Sequence, residues 1–215
     1  MSAPKMTKHL LPPETAEEAA APGPPTPAST SWEGWLPDGW FADGAPPLTV
    51  DIGCHRGTFL VEMARTHPGE NFLGIEKLGE RAAKTRKKLE RLGLANATVA
   101  HGDARAILSG LPDGCLHSMH ALFPDPWPKR RHERRRLISP EFLSDARRLL
   151  VPGGLLRILT DAPPYAAAIA NLIKSCPAFQ MVGAENFPAF PPTEFQKKFR
   201  EAGVPVFATL AHKVQ

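Results

Sequence analysis

The order of apolar and helix-forming segments in this chain of 215 residues predicts an α/β fold with a mostly parallel sheet, covered by helices on both faces. Short apolar runs alternate with helical segments, which is typical of strand–helix–strand units. The apolar fraction of 42% is sufficient for a buried core, so disorder throughout the chain is excluded. The length fits one domain with extensions.

Each element is predicted from its own residues. Buried strands are expected at the short apolar runs 48–52, 71–76, 97–103, 116–123 and 154–161, with further apolar runs near 179–184 and 205–211. Helices are expected between them, over 58–66, 80–92, 140–150 and 165–174. Gly93 stops the second helix, and Ser139 caps the third, which begins with Pro140.

The first 50 residues differ from the rest in charge and in proline content. They hold ten of the 24 prolines and carry a net charge of −4, so the remaining 165 residues carry +8. Residues 1–31 have no apolar periodicity and are expected to form a disordered acidic tail. Residues 32–46 contain three tryptophans, which we interpret as a strap packed on the domain; an exposed base-stacking platform is the alternative. The catalytic domain is expected over 47–215.

The sequence also argues against several classes of protein. No run approaches the ~18 apolar residues of a membrane span, and the N-terminus has no apolar stretch typical of a secretory signal. The three cysteines, Cys54, Cys115 and Cys176, form no C-x-x-C pair, which favours free thiols over disulfides or a zinc site. We therefore expect a cytoplasmic protein without a metal site. Whether it is a monomer or a homodimer stays open.

Each of the first five predicted strands delivers an acidic residue at or near its end: Asp51, Glu76, Asp103, Asp125 and Asp161. The carboxyl ends of parallel strands meet at one edge of a sheet, where ligands bind in such folds. Carboxylates gathered there repel one another unless a cationic or donor-rich ligand is present. Capping of the following helix is the alternative explanation for any single one of them.

The turn after the first strand helps to distinguish between cofactors. A dinucleotide site needs G-x-G-x-x-G, and this turn offers only Gly53 and Gly57. Asp51 would repel a pyrophosphate but suits an ammonium or sulfonium group. Glu76 lies where an acid holds ribose hydroxyls, and Asp103 is placed to accept a hydrogen bond from an adenine amine. Together these residues favour S-adenosylmethionine as the cofactor.

Six further motifs make the sequence resemble a known family, the bacterial tRNA (guanine-N7-)-methyltransferases. They are G-I-E at 74–76, H-G-D-A at 101–104, F-P-D-P-W-P-K-R-R-H at 123–132, P-E-F-L at 140–143, V-P-G-G at 151–154 and T-D at 160–161. The segment 123–132 is the most specific, and the resemblance covers about residues 36–214. It implies a Rossmann-like class I methyltransferase fold, a three-layer sandwich with a seven-stranded sheet. It also implies methylation of the variable-loop guanosine of tRNA.

The resemblance implies a role for particular residues. The cofactor would be bound by Asp51, Gly53, Gly57, Glu76, Asp103 and Ala104. Asp125 would be the catalytic or cofactor-side acid. The tRNA would be held by Lys129, Arg130, Arg131, Asp161, Thr193 and Gln196.

The chain departs from the family pattern at three places. His55 occupies the middle glycine position of the first motif, where a side chain would approach the methionine end of the cofactor. Gln196 replaces a substrate-side glutamate and keeps hydrogen-bonding capacity without the charge. An acidic, proline-rich segment stands where many members have a basic arm.

The chemistry of guanine N7 leads to a specific expectation. N7 is an unprotonated nucleophile, so its methylation needs alignment rather than a general base. Asp125 could stabilise the cationic product, and the six basic residues within 129–136 could bind RNA phosphates, although a solvated face is the usual explanation of such a run. Two alternatives stay open: a divergent methyltransferase acting on another RNA or a small molecule, and a tRNA-binding module that has lost catalysis.

Overall fold

Strands and helices alternate along residues 36–214, the part of the chain that this computed structural model describes. The strands are β1 Leu48–Ile52, β2 Asn71–Glu76, β3 Ala97–His101, β4 Leu116–Leu122, β5 Leu150–Thr160, β6 Phe179–Met181 and β7 Phe207–Lys213. The helices are α1 Thr58–Thr66, α2 Gly79–Arg91, α3 Ala104–Gly110, α4 Pro140–Leu149, α5 Pro163–Lys174 and α6 Glu194–Glu201. Two 3-10 segments, Arg130–Arg135 and Ala184–Asn186, lie in the loops. No helix between residues 36 and 214 is long and apolar enough to cross a membrane.

All seven strands form one sheet in the order β3-β2-β1-β4-β5-β7-β6. The pairs among β1 to β5 are parallel, whereas β7 runs antiparallel to both β5 and β6. The chain builds outward from β1 to β3 and then returns to the other side of β1 with β4. This reversal opens a crevice above the carboxyl ends of β1 and β4, the usual ligand site of such sheets. The predicted α/β fold is confirmed.

Each face of the sheet has its own apolar core. Alternate residues of β1 (Leu48, Val50 and Ile52) pack with α3, α4 and α5 in the larger core. The opposite face packs against α1 and α2, with Phe59 and Phe72 among its buried residues. Because side chains alternate along a strand, Asp51 points to the α1 face between two residues of the other core.

The predicted elements differ from the observed ones mainly at the junction of α4 and β5. The V-P-G-G segment was expected to separate the helix from a strand at 154–161, but β5 begins at Leu150 and runs through it. A register shift opposite Leu116 and Ser118 in β4 accommodates the additional residues, and Gly153 has a positive φ of 77°. Helices α3 and α6 were not predicted, since each is a short segment of fewer than nine residues.

The N-terminal predictions fall partly outside the described part of the chain. The acidic tail 1–31, Trp32 and Trp35 lie outside it. Within it, Trp40 is only 8% exposed and packs with Leu36 in the larger core. The described end of the tryptophan-rich segment is therefore packed on the domain.

Gly57, which immediately precedes α1, has a positive φ of 64°, and a β-carbon there would lie 2.3 Å from the Thr85 methyl group. We expect Gly57→Ala to destabilise the fold by about 2–4 kcal/mol, combining left-handed strain with overpacking. The matched control is Gly93→Ala, because Gly93 has φ 67° with open space around it, so only the strain of about 1 kcal/mol should remain. Urea denaturation measures both.

Adding Thr85→Ser to Gly57→Ala removes the clashing methyl group and keeps the hydroxyl that donates to the His55 carbonyl. The double variant should recover most of the stability that Gly57→Ala loses through overpacking, so that mainly the loss from left-handed strain remains. Equal losses for Gly57→Ala with and without this second change would contradict the steric explanation.

Candidate active site at the carboxyl edge of the sheet

The turn after β1 is fixed by backbone hydrogen bonds to the end of β2. The amides of Gly53 and Cys54 both donate to the Ile75 carbonyl, at 2.8 and 3.0 Å. Gly53 and His55 have positive φ values of 73° and 52°. Left-handed backbone at a residue with a β-carbon is uncommon and costs energy, so His55 is held there by its surroundings.

Glu76 supplies one part of those surroundings. Its two carboxylate oxygens accept hydrogen bonds from the backbone amides of His55 and Leu78, each at 2.9 Å, and the residue is 6% exposed. These bonds fix the position of the carboxylate at the end of β2.

Asp51 is the most deeply buried of the predicted acids, at 3% exposed. Burial raises its pKa to about 7, opposed by the positive charge of Arg157 and assisted by the negative charge of Glu76. Asp51 lines a small cavity of about 50 Å³ beneath the turn, which it shares with Gly53 and Thr193.

Asp103 lies directly before α3 and caps its N-terminus. Its carboxylate accepts a hydrogen bond from the Arg105 amide at 3.0 Å and lies 3.3 Å from the Lys77 ammonium. Capping, the alternative considered for single acids, therefore applies to Asp103, although the residue also lines the main cavity described below.

The loop between β4 and the first 3-10 segment is constrained at both ends. Phe123 and Trp127 have positive φ values of 60° and 41°. The Arg136 guanidinium donates to the carbonyls of Pro126 and Trp127, at 2.8 and 3.4 Å, and lies 5.2 Å from the centre of the Tyr165 ring. Strained, clamped backbone of this kind is concentrated at functional sites, and this loop carries Asp125, which is exposed.

Helix α6 covers the glycine turn from the C-terminal side. The Thr58 hydroxyl donates to the Glu194 carboxylate at 2.6 Å, which lowers the pKa of Glu194. The Phe195 ring lies 6.0 Å from the His55 ring and 5.7 Å from the Phe123 ring, measured between centres. Helix α6 therefore joins the turn to the loop that carries Asp125.

These elements enclose a cavity of about 1280 Å³. Five of the predicted site residues line it: Gly53, Glu76, Asp103, Ala104 and Asp125. Asp51 and Thr193 line the small adjoining cavity, while Gly57 shapes the turn without lining either cavity. The remaining predicted residues lie outside both: Lys129, Arg130, Arg131, Asp161 and Gln196.

A family model described as "Putative methyltransferase" matches residues 45–209. A tRNA (guanine-N(7)-)-methyltransferase of Levilactobacillus brevis is 34% identical over 198 residues, which is 87% of each chain. The chain belongs to the tRNA (guanine-N7-)-methyltransferase family. A relative of the same name from Rhodospirillum rubrum is 39% identical over 144 residues, which is 67% of this chain but only 56% of the relative, so the match spans about half of that protein.

The likeness to solved structures concerns the fold. A SAM-dependent methyltransferase from Aquifex aeolicus superposes with a TM-score of 0.55 over 78% of this chain and 82% of that one, at 16% identity. The predictions of family and of a class I methyltransferase fold are confirmed. The role of each individual residue stays a prediction.

Thr193 and Gln196 have a structural use that the motif does not indicate. The backbone amide of Gln196 donates to the Thr193 hydroxyl at 3.0 Å, and the backbone amide of Thr193 donates to the Gln196 side-chain oxygen at 2.9 Å. This is a capping box at the start of α6. Both side chains are engaged in it, whereas the neighbouring Glu194 lines the main cavity.

Glu194 and Phe195 are not among the predicted site residues, although the Thr-x-x-Gln spacing of residues 193–196 is a sequence signal for a helix start. The predicted residues Lys129, Arg130 and Arg131 of the basic run line neither cavity, and their role in binding tRNA stays a prediction. Arg134 and Arg135 line the cavity, and the Arg135 guanidinium lies 5.0 Å from the centre of the Trp127 ring. The 3-10 segment brings Arg135 over the loop, a placement that no pattern in the sequence indicates.

Arg136→Met removes the clamp on the loop that carries Asp125. Losing two hydrogen bonds from a charged donor should make amide exchange in peptides spanning 121–130 roughly tenfold faster or more. Hydrogen-exchange mass spectrometry measures this. Arg130→Met is the matched control, since Arg130 is exposed and should leave the exchange unchanged; equal effects of both variants would argue against the clamp.

Proposed function

We propose that this protein transfers a methyl group from S-adenosylmethionine to N7 of a guanine in tRNA, in the cytoplasm. One observation carries the proposal: the acid-lined cavity at the carboxyl edge of the sheet adjoins a clamped Pro-Asp-Pro loop flanked by arginines. Membership of the tRNA (guanine-N7-)-methyltransferase family supports it.

The residues of the cavity fit S-adenosylmethionine. Gly53 is exposed, and a β-carbon there would meet nothing within 4 Å, so a ligand can approach the backbone closely. Asp51 lies beneath this turn and suits a cationic group, while Glu76 and Asp103 supply acceptors for hydroxyl and amine groups. When bound, the cofactor supplies an electrophilic methyl group on a sulfonium.

The His55 ring packs against the protein and does not prevent this fit. Its ring lies edge-on to Phe195 of α6, so the side chain that replaces a family glycine joins the wall of the cavity. Burial and the charges of Arg81 and Arg56 lower the pKa of His55, so the imidazole itself is neutral at neutral pH.

The chain needs no general base for this reaction, because guanine N7 already has a free lone pair. Its task is to hold the base in line with the methyl group, and alignment alone gives large accelerations. The loop that carries Asp125 is stiffened by two prolines and by the Arg136 clamp. Asp125 would then stabilise the positive charge that forms on the methylated base.

The RNA backbone would lie along the basic 3-10 segment. Arg134 and Arg135 line the cavity, and Lys129, Arg130 and Arg131 extend the positive surface beyond it. Phosphate contacts position an RNA without reading its sequence. Thr193 lines the small cavity, and Asp161 and Gln196 line neither cavity; all three stay predicted substrate contacts.

The direct test is incubation with labelled S-adenosylmethionine and an unmodified tRNA transcript, followed by aniline cleavage at N7-methylguanosine. We expect one labelled guanosine, and a loss of about 10²-fold in kcat/KM for Asp125→Asn. Asp43→Asn is the control, because Asp43 is an exposed acid that lines neither cavity.

The outcome separates the alternatives. Label in another RNA or in a small molecule, with none in tRNA, would indicate a divergent methyltransferase. Binding of tRNA without transfer and without cofactor binding would indicate a module that has lost catalysis. Undiminished transfer by Asp125→Asn would disprove the role given to Asp125 alone.

The arginines of the cavity predict a salt effect. Replacing Arg134 and Arg135 together by Gln should weaken tRNA binding and make the slope of log affinity against log salt shallower by about 0.7–0.9 for each lost phosphate contact. Filter binding over a series of salt concentrations measures the slope. Lys174→Gln, at the end of α5, is exposed and lies outside both cavities, so it should leave the slope unchanged.

A further inference from the structure

Three ionisable side chains form a row across the middle of the sheet. Asp51 of β1 pairs in register with His120 of β4, and His120 pairs in register with Arg157 of β5. In-register residues of neighbouring parallel strands point to the same face, which here is the face covered by α1. The row therefore extends from beneath the glycine turn to the second strand beyond it.

All three residues of the row are buried: Asp51 is 3% exposed, His120 0% and Arg157 6%. Two aromatic rings enclose its far end. The Arg157 guanidinium lies 5.5 Å from the centre of the Phe59 ring and 4.9 Å from that of Phe190. The His120 ring lies 5.1 and 4.7 Å from the same two rings.

The row is not a satisfied hydrogen-bond network. Both ring nitrogens of His120 and one terminal nitrogen of Arg157 lack a hydrogen-bond partner in the described chain. Burial and the Arg157 charge lower the pKa of His120 to about 3, so the middle member is neutral. Burying a charged pair with unmet hydrogen bonds usually stabilises a fold less than apolar residues of the same volume would. Stability of the fold therefore gives no reason for Arg157 to be charged.

We propose that Arg157 is a positioning residue of the cofactor pocket, whose guanidinium supplies the counter-charge that holds Asp51 as a carboxylate facing the cationic end of S-adenosylmethionine. This inference rests on the proposed function. Arg157 lines neither cavity, so it acts through Asp51 and does not touch the ligand. His120 separates the two charges and stays neutral.

The ionisable groups packed around Asp51 determine the direction of the pH effect. Burial and Glu76 raise the pKa of Asp51, Arg157 lowers it, and the result is a pKa of about 7. His120 is neutral, and burial raises the pKa of the neighbouring Cys54, so its thiol is protonated. Without Arg157 the pKa of Asp51 rises. If cofactor binding needs the carboxylate, the affinity should fall as the pH is lowered, and in the variant this fall should begin at a higher pH than in the wild type.

A double-mutant cycle on Asp51 and Arg157 tests the inference by calorimetry with S-adenosylmethionine. Asp51→Asn should weaken binding about ten- to a hundredfold, the range for a hydrogen bond to a charged group. Arg157→Met should weaken binding at pH 7 about fivefold for the first unit by which the Asp51 pKa rises above about 7, and about tenfold for each further unit. In the Asp51→Asn background, Arg157→Met should have no further effect. The KM for tRNA should not change.

Arg157→Lys provides the charge-conserving control. It should keep the pH midpoint of cofactor binding near that of the wild type, whereas Arg157→Gln, which keeps polarity without charge, should shift the midpoint upward by about one pH unit. The pH titration uses only variants that retain the wild-type circular dichroism spectrum, so a misfolded Arg157→Met does not decide the question.

The results distinguish this inference from the function on which it rests. A wild type that binds and methylates normally, with Arg157→Met equally harmful in both backgrounds, overturns the inference alone. An unchanged midpoint in Arg157→Gln does the same. A wild type that binds no S-adenosylmethionine at any pH overturns the proposed function together with the inference.

Discussion

The site depends on the pairing of β1 with β2, because that pairing decides where the turn after β1 lies. Two amides of the turn, those of Gly53 and Cys54, donate to the Ile75 carbonyl, and a third, that of His55, donates to the Glu76 carboxylate. A ligand in the crevice would therefore meet backbone held rigidly before it binds. Preorganisation of this kind lowers the cost of binding because the backbone loses little conformational freedom when the ligand arrives. The cavity, the cover provided by α6 and the position of Asp51 all follow from this frame.

Side-chain hydrogen bonds hold the two remaining walls of the cavity, helix α6 and the loop that carries Asp125. Thr58 and Glu194, which share a hydrogen bond, are 136 residues apart in the chain. Arg136, directly after the 3-10 segment, donates a hydrogen bond to the loop that carries Asp125. Helix α6 contacts both the turn and the loop through Phe195, so the walls support one another. Phe123 of the loop and Phe195 of α6 supply apolar surface beside the acids of the cavity. Such a mixture of apolar walls and a few directed polar groups is typical of small-molecule and cofactor sites.

The row of Asp51, His120 and Arg157 shows the cost of function within a core. An apolar row would pack this face of the sheet without unmet hydrogen bonds, and buried ion pairs are weak contributors to stability. Asp51, at one end of the row, lies beneath the turn where the proposed cofactor's cationic end is expected. Perturbed ionisable groups of this kind are concentrated at functional sites, although structural networks also produce them. In this chain the aromatic rings of Phe59 and Phe190 compensate part of the cost at Arg157.

The sequence by itself determined the order of the strands and of helices α1, α2, α4 and α5, the acids at the strand ends and the family, since these depend on local periodicity and on contiguous motifs. It placed Glu76, Asp103 and Asp125 at one edge, and the structure brings them to one cavity. The cover formed by α6 and the row that joins Asp51 to Arg157 were decided only by tertiary structure. Their physical reason is the same: each depends on register or contact between segments far apart in the chain, which no local pattern of residues encodes.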